Sequence, residues 1–171
     1  MLWEGLKVMT LFETIKTINN VAATEPNINT LVLSGNVFDL NTNNITVKYS
    51  TFCCEQMTHY HTEEGFLYYG FRFYYIDRLT EDGRNKIEVQ SKGITTLESI
   101  LHKIRDLDIY NVYYDYTYTP FTNRFEALCA GVYCELRIQV PEDYCYDDIK
   151  DLLGDFNIDF NYDFWVKPNI Q

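Results

Sequence analysis

The sequence predicts an α+β fold: a helix, a long β-hairpin, a second helix and a second long β-hairpin, with an acidic amphipathic strand or arm at the C-terminus. Two observations predict it. The apolar residues of Leu11–Thr24 and of Asn85–Asp106 recur at the spacing of a helix face. Those of Leu128–Val140 alternate strictly with the residues between them, which is typical of a β-strand with one buried face. The 171 residues correspond to about one domain.

The first predicted helix has recognisable start and stop signals. Thr10 precedes it and Glu13 follows three residues later, which is the spacing of a capping box. Pro26 ends it, because the residue before a proline disfavours helical backbone. A short extended segment (Thr30–Leu33) and one helical turn (Val37–Leu40) are predicted next. The stripe expected to face the core consists of Leu11, Ile15, Ile18 and Ala22.

The first predicted hairpin joins a strand over Ile45–His61 to a strand over Phe66–Asp77, through a turn at residues 63–65. The alternation of the first strand slips near Phe52–Cys54, and a β-bulge there would explain the slip. The second strand is apolar or aromatic on both faces. We therefore expect it to be covered on both sides.

The second predicted helix extends from Asn85 to Asp106, with a strand at Lys86–Gln90 as the alternative for its start. Gly93 lies in its middle and is expected to weaken it by about 1 kcal/mol relative to alanine. The face expected to meet the core consists of Ile87, Ile94, Leu97, Leu101 and Ile104.

The second predicted hairpin has its turn at Pro120 and Asn123. One face of its first strand consists of Val112, Tyr114, Tyr116 and Tyr118. Its second strand is Leu128–Val140, which Pro141 ends.

The C-terminal segment differs from the rest of the chain. Residues 142–163 contain eight acidic residues and one basic residue. Apolar residues alternate with Asp or Asn from Asp155 to Val166, which predicts an amphipathic strand without a neighbouring partner in sequence. This strand either completes the sheet of its own chain or adds to that of another copy. We accordingly divide the chain into an N-terminal extension (1–9), an α+β domain (10–141) and an acidic C-terminal arm (142–171).

Charge and cysteine content restrict the possible partners. The formal net charge is −11, so the surface repels nucleic acids and anionic membranes. The five cysteines are an odd number, two of them are adjacent, and Met1–Met9 lacks the apolar core of a secretion signal. We therefore expect free thiols in a reducing compartment.

Sequence motifs favour a protein that is not an enzyme and has no cofactor. The best metal candidate is His59 with His61, which would share a strand face downstream of Cys53 and Cys54, but solvated histidines are the favoured interpretation. The Asp/Asn run from residue 155 to 163 lacks the glycine and glutamate of a calcium loop. The chain also lacks a nucleophile motif and a phosphate-binding glycine loop.

Aromatic residues are the most unusual part of the composition, with 15 Tyr and 11 Phe. They indicate either surfaces for contact between proteins or simply high β-propensity, and both interpretations stay open. On the first interpretation, the predicted oligomer interface consists of Tyr68, Phe71, Phe73, Tyr75, Tyr116, Tyr118, Phe121, Arg124, Phe156, Ile158, Phe160, Tyr162 and Phe164.

Three segments resemble a known family. MTLFETIKTI (residues 9–18), YYGFRFYYIDRL (68–79) and YTPFTNRFEALCAGVYCELRIQV (118–140) are similar to small virion proteins of tailed phages and prophages of gut bacteria, especially the crAss-like group. The order of elements also resembles the tail-terminator and head–tail connector fold. The resemblance covers residues 9–140 and does not reach the acidic C-terminal segment.

The resemblance implies a homo-oligomeric ring, usually six- or twelve-fold, in the neck or tail of a virion assembled in the bacterial cytoplasm. Ile45–Asp77 and Thr119–Val140 would form its sheets and ring contacts. Neighbouring neck and tail proteins would be its partners, and DNA would pass through the lumen without specific binding. The family implies no catalytic residues. The alternative function is a cytosolic module that binds a ligand or a protein on an aromatic sheet face.

Overall fold

The computed structural model describes residues 9–41, 47–63, 66–113, 115–125, 127–140, 158 and 163–168. Two helices pack on one face of a mixed β-sheet, which confirms the predicted α+β class. In chain order the elements are α1 (Leu11–Ala23), β1 (Thr30–Val32), a 3-10 helix (Val37–Asn41), β2 (Thr51–Gln56), β3 (Tyr60–His61), β4 (Leu67–Arg78), α2 (Lys86–Asp106), β5 (Asn111–Val112), β6 (Tyr118–Arg124), β7 (Leu128–Gln139) and β8 (Phe164–Val166).

The sheet is built around the long antiparallel pair of β4 and β7. The strand order is β5-β7-β4-β2-β1-β8, while β3 pairs with β4 and β6 pairs with β7. Only β1 and β2 are parallel among the described pairs. β5 and β6 therefore lie at one end of the sheet and β8 lies at the other. None of the helices among the described residues is long and apolar enough to cross a membrane.

The capping box of α1 is confirmed. The Thr10 hydroxyl accepts a hydrogen bond from the Glu13 N–H at 3.2 Å, and the Glu13 carboxylate accepts one from the Thr10 N–H at 2.8 Å. The residue before the cap, Met9, is fully buried in the main core, and its carbonyl accepts a hydrogen bond from the Tyr69 hydroxyl. Met9 thus belongs to the domain rather than to an extension that precedes it.

The start of α2 is helical, so the alternative of a strand at Lys86–Gln90 is wrong. The buried face also differs from the prediction, because Ile87 is 74% exposed and Ile94 is 38% exposed. The helix instead turns Gly93 toward the sheet. Its buried residues are Val89, Gly93, Thr96, Leu97, Ile100, Leu101 and Ile104.

Gly93 is the point of closest approach between α2 and the sheet. A Cβ atom placed on it would lie 2.7 Å from the Tyr75 ring and 2.8 Å from a methyl group of Val132. Both side chains are fully buried, so neither has room to move away. Close packing therefore requires a residue without a side chain at this position. The prediction from helix propensity considered only the cost of glycine in a helix and not this contact.

We expect Gly93→Ala to destabilise the domain by about 1–3 kcal/mol through overpacking, although alanine normally stabilises a helix interior by about 1 kcal/mol relative to glycine. Urea unfolding measures this difference. Ser91→Ala, at an exposed position of the same helix, is the control and should leave the stability within about 0.5 kcal/mol of the wild type. A more stable Gly93→Ala protein would contradict the observed packing.

The first strand of the first hairpin is shorter than predicted. The chain forms β2 and β3, and residues 57–59 between them are not part of a strand. The predicted strand is therefore interrupted at residues 57–59 and not by a bulge at Phe52–Cys54. Its cause is a close crossing over β4, where the Met57 N–H donates to the Gly70 carbonyl and the Thr58 carbonyl lies against the Gly70 Cα. Phe52–Cys54 are all buried because the sheet is covered on both faces there. Residues 64 and 65 of the predicted turn lie outside the described residues.

The first strand of the second hairpin is divided. β5 and β6 pair with different parts of β7, and Tyr114 between them lies outside the described residues. Pro120 and Asn123 lie within β6, and the hairpin closes instead where the Phe125 N–H donates to the Ala127 carbonyl. Pro120 fits in this strand because β6 has a strand neighbour on one side alone within the described part of the chain.

Two apolar clusters cover the sheet. The larger lies between the sheet and both helices and contains Phe52, Phe71, Phe73 and Tyr75. The smaller lies on the opposite face, near the 3-10 helix, and contains Tyr74 and Ile76. β4 is thus covered on both faces along this part, as predicted. The second cluster does not extend to the start of β4, and this leaves the sheet face beside Tyr68 as a groove.

The described end of the C-terminal segment belongs to the domain. β8 pairs antiparallel with β1, and Ile158 is buried in the main core. In this structure the strand therefore completes the sheet of its own chain, and a boundary at residue 142 does not separate Phe164–Val166 from the domain. The other residues of 141–162 lie outside the described part.

Candidate functional site on the open face of the sheet

A groove of about 600 Å³ crosses the sheet face that is opposite the helices. β4 and β7 form its floor at Gly70 and Leu136. Residues 57–62 form one wall, and Tyr113 with Asp115 forms the other. Segments distant in sequence meet here because β3 pairs with the start of β4 and β5 pairs with the end of β7.

Three tyrosines line the groove and support one another. The Tyr60 and Tyr68 rings are stacked, with centroids 5.1 Å apart and planes 13° apart. The hydroxyls of Tyr68 and Tyr113 lie 2.8 Å apart, within hydrogen-bond distance. Tyr68 is buried, whereas Tyr60 is 37% exposed and Tyr113 is 45% exposed. The buried ring thus positions two rings that face the solvent.

A charged cluster spans three neighbouring strands beside the groove. Arg72 on β4 faces Glu55 on β2 and Glu135 on β7 in the register of the sheet. Its guanidinium lies 3.1 Å from the Glu55 carboxylate and donates through Nε to Glu135 at 2.9 Å. The same guanidinium lies 5.1 Å from the centre of the Tyr133 ring. Arg72 therefore holds the two carboxylates in fixed positions.

Tyr74 is part of this cluster. Its hydroxyl donates to the Glu55 carboxylate at 2.9 Å and accepts a hydrogen bond from Arg72 at 3.1 Å. Burial, with a smaller contribution from Glu55, raises the pKa of Tyr74 to about 12. Hydrogen bonds to Tyr74 and Glu135 raise the pKa of Arg72 above its ordinary value. At neutral pH, Arg72 is therefore charged and Tyr74 keeps its proton.

Arg137 and Asp115 are less constrained. Arg137 lies 5.5 Å from the centre of the Tyr60 ring, and its Nη1 donates to the Tyr60 hydroxyl at 3.4 Å. Neither residue forms an ion pair within the described part of the chain. The groove therefore presents a guanidinium donor and a carboxylate acceptor beside exposed aromatic rings.

The histidine pair is not arranged as the sequence predicted. His61 lies on β3 and is exposed, whereas His59 lies in the segment before that strand. The Nδ1 atom of His59 accepts a hydrogen bond from the Gly70 N–H at 3.3 Å, and burial lowers its pKa. Cys53 and Cys54 are fully buried thiols whose pKa values are raised by burial. The structure does not bring these four side chains together.

Among the described residues, no group of three or more His, Cys, Asp or Glu side chains is placed to hold a metal ion. Of the Asp/Asn run that imitates a calcium loop, only Asp163 is described.

Several residues predicted for the oligomer interface lie in the core of their own chain. Phe71, Phe73 and Tyr75 are fully buried because α1 and α2 cover that face of β4. Tyr68 is buried beneath the rings of the groove, and Ile158 is buried in the main core. These five side chains are buried within their own chain in this structure, so they do not fit the predicted oligomer interface.

The remaining predicted interface residues lie at the two ends of the sheet or outside the described part. Four are half-exposed, namely Tyr116, Tyr118 and Phe121 at the β6 end and Phe164 on β8. Tyr118 donates a hydrogen bond to Glu98 at 2.7 Å, and the Phe121 ring lies 6.0 Å from that of Tyr74. Arg124 is described only by its place in β6. Phe156, Phe160 and Tyr162 lie outside the described residues.

The sequence interpretation missed Tyr60, Tyr113, Arg137 and Asp115. These residues come from three separate segments, and their common feature is that strand pairing with β4 and β7 brings them together. The one local signal was the density of tyrosine itself, which does not distinguish a groove from a core.

No protein-family model, curated protein or solved structure matches this chain.

Proposed function

We propose that the protein is a structural virion protein of a tailed phage, a ring-forming subunit of the neck or tail that surrounds the DNA channel. One observation carries the proposal: each end of the sheet has half-exposed aromatic residues. Phe121 is at the β6 end, and Phe164 and Trp165 are at the β8 end. The resemblance of residues 9–140 to small virion proteins supports it.

Two different surfaces with partly exposed aromatic residues on one chain suit a head-to-tail contact. In such a contact the first surface of each copy binds the second surface of the next, and a suitable rotation closes the series into a ring. Tyrosine and phenylalanine are typical of the buried centre of such interfaces. The net charge of −11 would repel DNA from the lumen and let it pass without specific binding.

Native mass spectrometry of the full chain tests the proposal, first alone and then mixed with the proteins encoded beside it. We expect a discrete closed oligomer. Thr122→Arg places a long charged side chain at the exposed β6 end and should convert the oligomer to monomers that still unfold cooperatively. Thr95→Arg, on the exposed face of α2, is the matched control and should leave the oligomer intact.

Two results together would contradict a virion ring. One is a monomer in every mixture at all concentrations. The other is the absence of the chain from purified particles in a proteomic measurement.

A second candidate function is a binding module that uses the aromatic sheet face. The groove of about 600 Å³, with two exposed rings held by a buried third, favours it. Ligand sites are typically concave and combine apolar rings with a few convergent polar groups.

A further inference from the structure

The lining of the groove suits one class of ligand. Tyr60 and Tyr113 offer partly exposed aromatic side chains, Arg137 offers hydrogen-bond donors, and Asp115 and Glu135 offer acceptors. We propose that the groove binds a neutral oligosaccharide. The proposal rests on the second candidate function, the binding module, and does not depend on ring assembly.

The exposed rings match the shape of a sugar. A pyranose ring has apolar C–H faces and a rim of hydroxyls, and aromatic side chains cover such faces with little loss of side-chain entropy. Tyr60 is stacked on Tyr68, and Tyr68 in turn lies within hydrogen-bond distance of Tyr113. Both exposed rings are therefore in place before a ligand arrives, which lowers the cost of binding.

The charges of the lining disfavour polyions. A polyanion would meet the carboxylates of Asp115 and Glu135, and a polycation would meet the guanidinium of Arg137. A neutral polyhydroxylated ligand is not repelled by any of these charges, and its hydroxyls can bind both the donors and the acceptors of the lining. The net charge of −11 acts further against nucleic acids as occupants.

Two of the polar groups also have partners that position them. Arg72 fixes the Glu135 carboxylate, and Arg137 is placed by its contact with the Tyr60 ring. The volume of about 600 Å³ is large enough for a short stretch of a sugar chain.

Isothermal titration calorimetry with the full chain tests the proposal. The probes are cellohexaose, chitohexaose, maltohexaose and mannohexaose, with poly-L-lysine and poly-L-glutamate as charged comparisons. We expect at least one hexasaccharide to bind with a Kd of about 1 mM or tighter. Tyr113→Ala and Asp115→Asn should each weaken that binding by about tenfold or more, because one removes a ring face and the other a charged acceptor.

The controls are matched to the variants. Phe38→Ala removes an aromatic ring that is 58% exposed and lies outside the groove, and Asp106→Asn neutralises an exposed carboxylate at the end of α2. Both should bind the sugar as the wild type does. Thermal melts of all four variants establish that each is folded. If Tyr113→Ala does not fold, the isosteric Asp115→Asn variant still tests whether the groove binds the sugar.

Lack of binding to all four hexasaccharides at about 10 mM would overturn the proposal. Binding that Tyr113→Ala and Asp115→Asn leave unchanged would overturn it as well. Binding of a charged polypeptide alone, lost in these variants, would exclude the sugar but retain the binding module. Ring assembly is measured separately by native mass spectrometry, so failure of one function is distinguishable from failure of the other.

Discussion

Phe73→Ala should destabilise the folded chain by about 3–5 kcal/mol, the cost of deleting a fully buried aromatic ring. The Phe73 ring lies 5.3 Å from that of Phe52 and 6.3 Å from that of Phe71, beneath the two helices. Because these contacts lie within one chain, the loss should be the same at low and at high protein concentration. Urea unfolding at two concentrations that differ a hundredfold measures both quantities.

Phe38→Ala is the matched control, since Phe38 is 58% exposed, and it should cost less than about 1 kcal/mol. Phe73→Leu is expected to cost about 1.5 kcal/mol or less. If the alanine variant does not fold, the stability of Phe73→Leu is measured at the two protein concentrations instead. An effect of Phe73→Ala that disappears on dilution would instead place this ring between copies, in the oligomer interface for which the sequence analysis named Phe73.

The elements that the sequence predicts well are those with local signals. The capping box at Thr10 and Glu13 fixes the start of α1, and the strict alternation of Leu128–Val140 fixes β7. In both cases the decisive residues lie within a few positions of one another. Local periodicity is sufficient there because the signals that specify these elements lie within short stretches of the chain.

Burial on one face is harder to predict because it depends on distant partners. Ile87 and Ile94 fit an apolar stripe of α2, but the helix is rotated so that Gly93 lies against Tyr75 and Val132. The sequence shows that an apolar face exists but not which part of it meets the sheet. The spacing alone does not reveal that a glycine is the contact point.

The candidate site was the least predictable part. Tyr60, Tyr113 and Arg137 become neighbours through strand pairing, and the interruption after β2 that shapes one wall depends on the crossing over Gly70. Tyrosine content predicted aromatic surfaces in general. It did not separate Tyr75, which is in the core, from Tyr113, which is at the surface.

Deletion of residues 163–171 should destabilise the domain by roughly 5 kcal/mol, which is a large part of the stability of a typical domain. The three side chains of β8 are half-buried, and each is expected to contribute about 1 kcal/mol. The Leu33 N–H donates to the Asp163 carbonyl at 2.7 Å and the Lys167 N–H to the Asn29 carbonyl at 2.7 Å, each worth about 1 kcal/mol. Thermal and urea unfolding of the truncated chain measure the loss.

Two point variants measure separate contributions to the loss of stability that the truncation causes. Trp165→Ala removes a ring packed against the main core and should cost about 1–2 kcal/mol. Lys167→Met keeps the aliphatic chain but removes the hydrogen bond from Nζ to the Glu25 carbonyl, so it should cost about 1 kcal/mol or less. A truncated chain that melts like the wild type but no longer assembles would mean that the strand acts only between copies.

A synthetic peptide of residues 158–171 adds a second measurement to the truncation. If β8 stabilises the domain by pairing with β1, the added peptide should raise the melting temperature of the truncated chain in proportion to its occupancy. Peptide with Trp165 replaced by alanine should do so less well. A separate peptide that restores the melting temperature shows that β8 can pair with β1 of a different molecule. A strong effect would therefore identify β8 as the element able to link neighbouring subunits of a ring.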